Sequence, residues 1–112
     1  MSNSSYTLAS AVEKSTYIIR VRFLDADGTE VVPNSINWDL KNSAGRIINS
    51  RDNVSVTPSA TIDIVLSGAD LAITETGDKL RFLLGRAVYN SVKYGNNRPL
   101  RFTAKFVIDE VI

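Results

Sequence analysis

Residues 35–41, Ser-Ile-Asn-Trp-Asp-Leu-Lys, alternate polar and apolar without a break and set the only tryptophan of the chain on the apolar side. A period of two is the mark of a strand with one wet face. The same period recurs over residues 16–24, where Tyr17, Ile19, Val21 and Phe23 share one face and Ile18, Arg20, Arg22 and Leu24 the other. Over residues 59–66 it sets Ala60, Ile62, Ile64 and Leu66 against Thr61, Asp63 and Val65. Over residues 100–108 it sets Leu100, Phe102, Ala104, Phe106 and Ile108 against Arg101, Thr103, Lys105 and Val107. Shorter strands are predicted at residues 6–12, 46–49 and 54–56. Residues 79–89 form a strand by composition with two candidate inward faces: Phe82, Leu84, Arg86 and Val88, or Leu83, Gly85, Ala87 and Tyr89. The second is preferred because an unpaired buried arginine is costly, and a bulge near Gly85 would turn Phe82 inward as well.

Turn residues punctuate these runs. Residues 25–30, Asp-Ala-Asp-Gly-Thr-Glu, give Gly28 a place for positive φ and let the aspartates bind nearby backbone N–H groups. Residues 42–45 close a hairpin, and Pro33 and Pro58 interrupt strand pairing. Ser67 and Asp70 are spaced as a capping box, which predicts one short helical turn near residues 68–73 carrying Leu71 and Ile73. Residues 90–99 read as a long loop. About seven strands with almost no helix predict an all-β fold, a two-layer antiparallel β-sandwich of the immunoglobulin or fibronectin type III kind. Trp38 then plugs the space between the sheets. The predicted core is Ile19, Val21, Phe23, Trp38, Leu40, Ile62, Ile64, Leu66, Phe102 and Phe106. Each contributes roughly 1.5–3 kcal/mol when fully buried. Residues 1–5 are small and polar and read as a flexible arm; residues 6–112 make a single domain.

Composition narrows the chemistry. The chain has neither cysteine nor histidine, which removes disulfides, the commonest zinc and copper ligands, and the usual general base at neutral pH. The Asp-Ala-Asp-Gly string at residues 25–28 lacks the further oxygen ligands of a calcium loop, and the six glycines build no phosphate-binding loop. Turn carboxylates on a small convex sandwich offer no cleft for glycoside hydrolysis. No enzyme activity, cofactor, metal or small-molecule substrate is therefore expected. A net charge of +1, with basic residues read as scattered, predicts no direct contact with nucleic acid; Arg20, Arg22, Arg101 and Lys105 read as solvated outward positions. The polar opening has no signal peptide and no run long enough to span a bilayer, so synthesis in the cytoplasm and no membrane partner are expected. Recognition falls to residues 90–99, with Lys93, Tyr94, Asn96, Asn97 and Arg98 as interface candidates, and to Tyr6 beside the arm.

Three stretches together carry a resemblance: Tyr-Ile-Ile-Arg-Val-Arg-Phe-Leu-Asp-Ala-Asp-Gly at residues 17–28, Ser-Ile-Asn-Trp-Asp-Leu at 35–40, and Thr-Pro-Ser-Ala-Thr-Ile-Asp-Ile-Val-Leu-Ser-Gly-Ala-Asp-Leu at 57–71. They resemble small immunoglobulin-like virion proteins of tailed bacteriophages, and the likeness runs over residues 16–108. The resemblance implies a non-enzymatic structural component of the particle. It would dock in multiple copies on other virion proteins at the head (as capsid decoration), neck or tail, within a symmetric assembly. It implies no catalytic residues. A carbohydrate-binding or host-adhesion module on the particle surface is the alternative, and it would need an exposed aromatic platform built from Tyr94, Tyr89 or Tyr6.

Overall fold

The alternation along the chain becomes a mostly β structure in the computed structural model, which describes residues 4–74 and 77–110 and, for residues 4–6, the backbone alone. In order the elements are β1 (Ser4–Thr7), β2 (Ala11–Val12), β3 (Thr16–Arg22), β4 (Ser35–Asn42), β5 (Val54–Val56), β6 (Thr61–Ser67), a 3-10 turn (Gly68–Leu71), β7 (Leu80–Ser91) and β8 (Gly95–Asp109). The larger sheet has the order β1-β8-β7-β4-β5, with β2 also on β8; β3 and β6 pair separately. All pairs are antiparallel except β1 and β2, which run parallel to β8. This corrects the expected all-antiparallel sandwich. The chain enters alongside its own last strand, so no hairpin constrains the direction, and residues 13–15 then carry it across into the β3–β6 sheet. β1 begins at Ser4, inside the stretch read as a free arm, and pairs Ser4 with Phe102 and Tyr6 with Ala104. Residues 1–3 lie outside the described residues.

The core lies between the two sheets. Nine of the ten predicted core side chains are buried, and Val21 is half-buried, lining a cleft together with Leu8 and Phe102. Tyr17 stacks on Phe106 with ring centroids 4.7 Å apart, and Phe23 meets Phe102 edge-on at 6.0 Å. Trp38 is buried as expected, opposite Gly85 on one side and Val54 on the other, with the Arg51 guanidinium 6.0 Å from its ring. The capping turn forms: Ser67 N–H donates to Asp70 at 3.1 Å, and the buried Asp70 carboxylate also receives Arg51 at 2.8 Å and Asn49 at 3.0 Å. Desolvation pushes the Asp70 carboxyl up, but those donors outweigh it and hold it below the usual range.

β7 buries Leu83, Gly85, Ala87 and Tyr89, the face chosen from the sequence. Register between β7 and its neighbours runs unbroken through Gly85, so the suggested bulge is absent there and Phe82 stays on the outer face. The inward face still carries an arginine. Arg81 is fully buried and donates to the carbonyls of Ala72, Asp78 and Leu80 and to the Asp78 carboxylate at 2.9–3.2 Å. Near the strand end the guanidinium fork finds carbonyl acceptors, and these offset its desolvation. Arg86, on the outer face, forms a two-pronged pair with Asp39 at 3.0 and 3.1 Å.

Candidate functional site

The stretch read as a long loop is a projecting hairpin. Val88 is the last β7 residue with a partner in β4, yet β7 and β8 stay paired beyond it, Tyr89 with Arg98 and, after a register shift at Asn90, Ser91 with Gly95. Only Val92, Lys93 and Tyr94 connect the strands. Asn- and Gly-rich composition resembles a loop, but the backbone ladder that pairs these residues makes no use of side chains. Gly95, at φ +101°, supplies the left-handed turn that such a short connection requires.

Side chains fix the geometry of the tip. Ser91 Oγ accepts the Tyr94 N–H at 2.9 Å, Arg98 Nε donates to the Tyr94 carbonyl at 2.6 Å, and Asn90 Oδ1 accepts from Asn97 N–H and Asn34 Nδ2, both at 3.1 Å. The foot is latched to the turn at residues 25–30. Asp25 is buried and its carboxylate accepts Ser91 Oγ–H at 2.6 Å, Tyr89 O–H at 3.0 Å and the Ala26 N–H at 2.7 Å. The Ser91 bond, together with those from Ala26 and Tyr89, overcomes burial and holds the Asp25 carboxyl below its ordinary range. Burial and the adjacent carboxylate raise the Tyr89 phenol. Within the turn, Asp27 caps the Thr29 N–H at 3.0 Å and Gly28 takes φ +88°.

This anchored foot presents an exposed tip. Val92 is fully exposed at 107% and Tyr94 is 44% exposed, with Lys93 Nζ 5.4 Å from the Tyr94 ring centre. Ala26, Tyr89, Tyr94 and Arg98 line an open depression beneath it. Of the predicted interface residues, Lys93, Tyr94, Asn96, Asn97 and Arg98 are brought together here, all exposed. Tyr6 is not among them: its backbone pairs with Ala104, nine β8 residues from Gly95 or about 30 Å away, and its side chain lies outside the described residues. Sequence reasoning missed Val92, Ser91 and Asp25. The alternation that makes Tyr89 and Ser91 share a face was a usable signal, whereas the Asp25–Ser91 contact spans 66 residues and had none.

Chemically the arrangement suits recognition. The Ser91 hydroxyl is buried with both its donor and its acceptor capacity engaged, and the carboxylate beside it is occupied by three donors. What the site offers outward is a hydrogen-bonded apolar and aromatic knuckle with two cations. Comparison with protein-family models, with curated proteins and with solved structures finds no match for this chain.

Proposed function

We propose that the chain is an immunoglobulin-like, non-enzymatic docking module of a tailed-phage particle, attached in multiple copies to other virion proteins through the β7–β8 hairpin. The observation that carries the docking role is the tip itself, a fully exposed Val92 beside Tyr94 on a hairpin whose foot is latched by Asp25. An aromatic and an aliphatic side chain side by side on a projecting turn offer an anchor for a partner, and preorganisation reduces the entropy lost when such a tip is bound. The immunoglobulin-like reading is supported by the division into a β3–β6 sheet and a sheet centred on β8, β7 and β4, with a buried tryptophan on β4. The virion assignment rests on the resemblance of residues 16–108. Repetition around a symmetric particle would let one small contact per copy hold the module in place.

Co-sedimentation of the purified chain with separated phage heads and tails tests the reading. The parent chain is expected to pellet with one of these fractions, and a Val92→Ser, Tyr94→Ala variant, altered only at exposed positions, to remain in the supernatant while keeping its unfolding midpoint. Failure of the parent to pellet, joined to a signal on a glycan array, would replace docking with carbohydrate binding.

A further inference from the structure

Charge is not distributed as evenly as a net charge of +1 suggests. Residues 79–108, spanning β7, the hairpin tip and nearly all of β8, contain seven Lys and Arg and no Asp or Glu; the rest of the chain holds all twelve carboxylates and the other six cations. This corrects the impression of scattered basic residues. The fold neutralises three of the seven, with Lys79 at 3.3 Å from Glu110, Arg81 at 3.2 Å from Asp78 and Arg86 at 3.0 Å from Asp39. Lys93, Arg98, Arg101 and Lys105 have no carboxylate within ion-pairing distance among the described residues. On the other sheet, by contrast, Arg20 and Arg22 are paired with Asp63 at 2.8 Å and Glu30 at 3.3 Å. The four outward basic residues grouped from the sequence are thus divided between two sheets.

Register sets two of these four, Arg101 and Lys105, together with Lys41 of β4 around an apolar centre. Lys41, Phe82 and Lys105 stand opposite one another across β4, β7 and β8. The next row on the same face is Asp39, Leu84 and Thr103, and the one after it is Asn37, Arg86 and Arg101. These positions alternate with the core-facing residues of each strand and so point away from the second sheet, Asp39 being buried there among its hydrogen-bond donors. Phe82 and Leu84 are half-buried, Lys105 and Arg101 are exposed, and Val107, 44% exposed, extends the apolar strip. Asp39, the carboxylate within these rows, is occupied by Arg86 and by the Asn53 N–H at 2.6 Å; Asp52, exposed in the adjoining connector, acts on Arg86 at the far edge of the face from Lys105. Asp109, the next along β8, lies four residues past Lys105, about 13 Å away.

We propose that this outer face binds an acidic protein surface, one whose Asp and Glu side chains surround an apolar centre. Lys41, Lys105 and Arg101 meet the carboxylates while Phe82 and Leu84 pack against the centre, the division of labour of an interface with an apolar core and a charged rim. Nucleic acid fits less well, because single strands are held on sheets by several stacking aromatics and this face offers one, Phe82, among aliphatic neighbours. The surface is separate from the hairpin tip, so the inference stands whether or not the tip docks on a virion.

Amide chemical shifts of the isotopically labelled full chain provide the test, with an alternating Glu-Leu peptide as one probe and a short oligothymidylate as the other. The peptide is expected to shift the amides of Lys41, Phe82, Leu84, Arg101 and Lys105. Reversing charge in an Arg101→Glu, Lys105→Glu variant should weaken it about tenfold or more, whereas Val92→Ser leaves it unchanged. Peptide shifts that are absent or confined to other surfaces would overturn the proposal, as would tighter binding of the oligonucleotide.

Discussion

Among the glycines, Gly85 is the one with no room for a side chain. It sits mid-strand, paired with Trp38 on β4 and Phe102 on β8, and a Cβ built there would overlap the Phe102 ring. The absent side chain is what makes room for the far end of that ring over β7. Gly85→Ala should cost about 3 kcal/mol or more, although alanine has the better strand backbone, and Gly85→Ala with Phe102→Leu should recover part of the loss. Urea unfolding of the single and double variants measures both; equal stability of Gly85→Ala and parent would show that the ring relocates freely. At this scale the sequence was most legible where neighbours along the strand set the outcome. Ile62, Ile64 and Leu66 could be assigned to the core from their alternation alone. Gly85 could be placed on the inward face, but not explained, because its partner is a ring 17 residues away on another strand. Arg81 was illegible for a related reason: beside the Asp78 carboxylate its acceptors are three carbonyls, which no side-chain pattern reveals.

Among the elements, the hairpin beyond Val88 depends on its latch to the turn at residues 25–30. Asp25 has its carboxyl depressed by Ser91, Ala26 and Tyr89, so it stabilises the folded foot fully above the ordinary carboxylate range, near pH 4, and loses that contribution as pH falls toward its folded value. Asp39 and Asp63 are depressed in the same direction by Arg86 and Arg20, but they act on other strands. Asp27 shares the turn and is held down by Thr29, so a local readout confines the effect to the foot and the Asp25 variant assigns it to the latch. Hydrogen-exchange protection of the Tyr94 and Asn97 amides should fall below about pH 4 before that of the amides between β4 and β7. Asp25→Asn should lower it already at neutral pH and flatten its dependence on acid. Protection of Tyr94 that tracks global stability at every pH would mean the latch contributes nothing of its own. Long strands with strict alternation were readable as elements; this hairpin was not, because polar Asn, Gly and Arg residues mask a ladder that only backbone atoms form.

For the whole molecule, β8 sets the dimensions. Its fifteen residues, extended, reach roughly 50 Å, matching the 51 Å long axis of a body 21 Å across. The basic face, the hairpin and the paired N-terminal strand all lie along it. Because β1 and β2 run parallel to β8, with Ser4 beside Phe102 and Val12 beside Asp109, a load drawing Ser4 and Asp109 apart runs along both strands in opposite senses. The bonds between them are then sheared together instead of being unzipped one at a time, so the domain should yield in a single abrupt step at high force. Single-molecule stretching of the chain checks this, with removal of residues 1–7 expected to lower the rupture force sharply and gradual yielding of the parent chain counting against it. A module clamped in this way can sit in a tensioned structure and transmit strain between neighbours without opening its core.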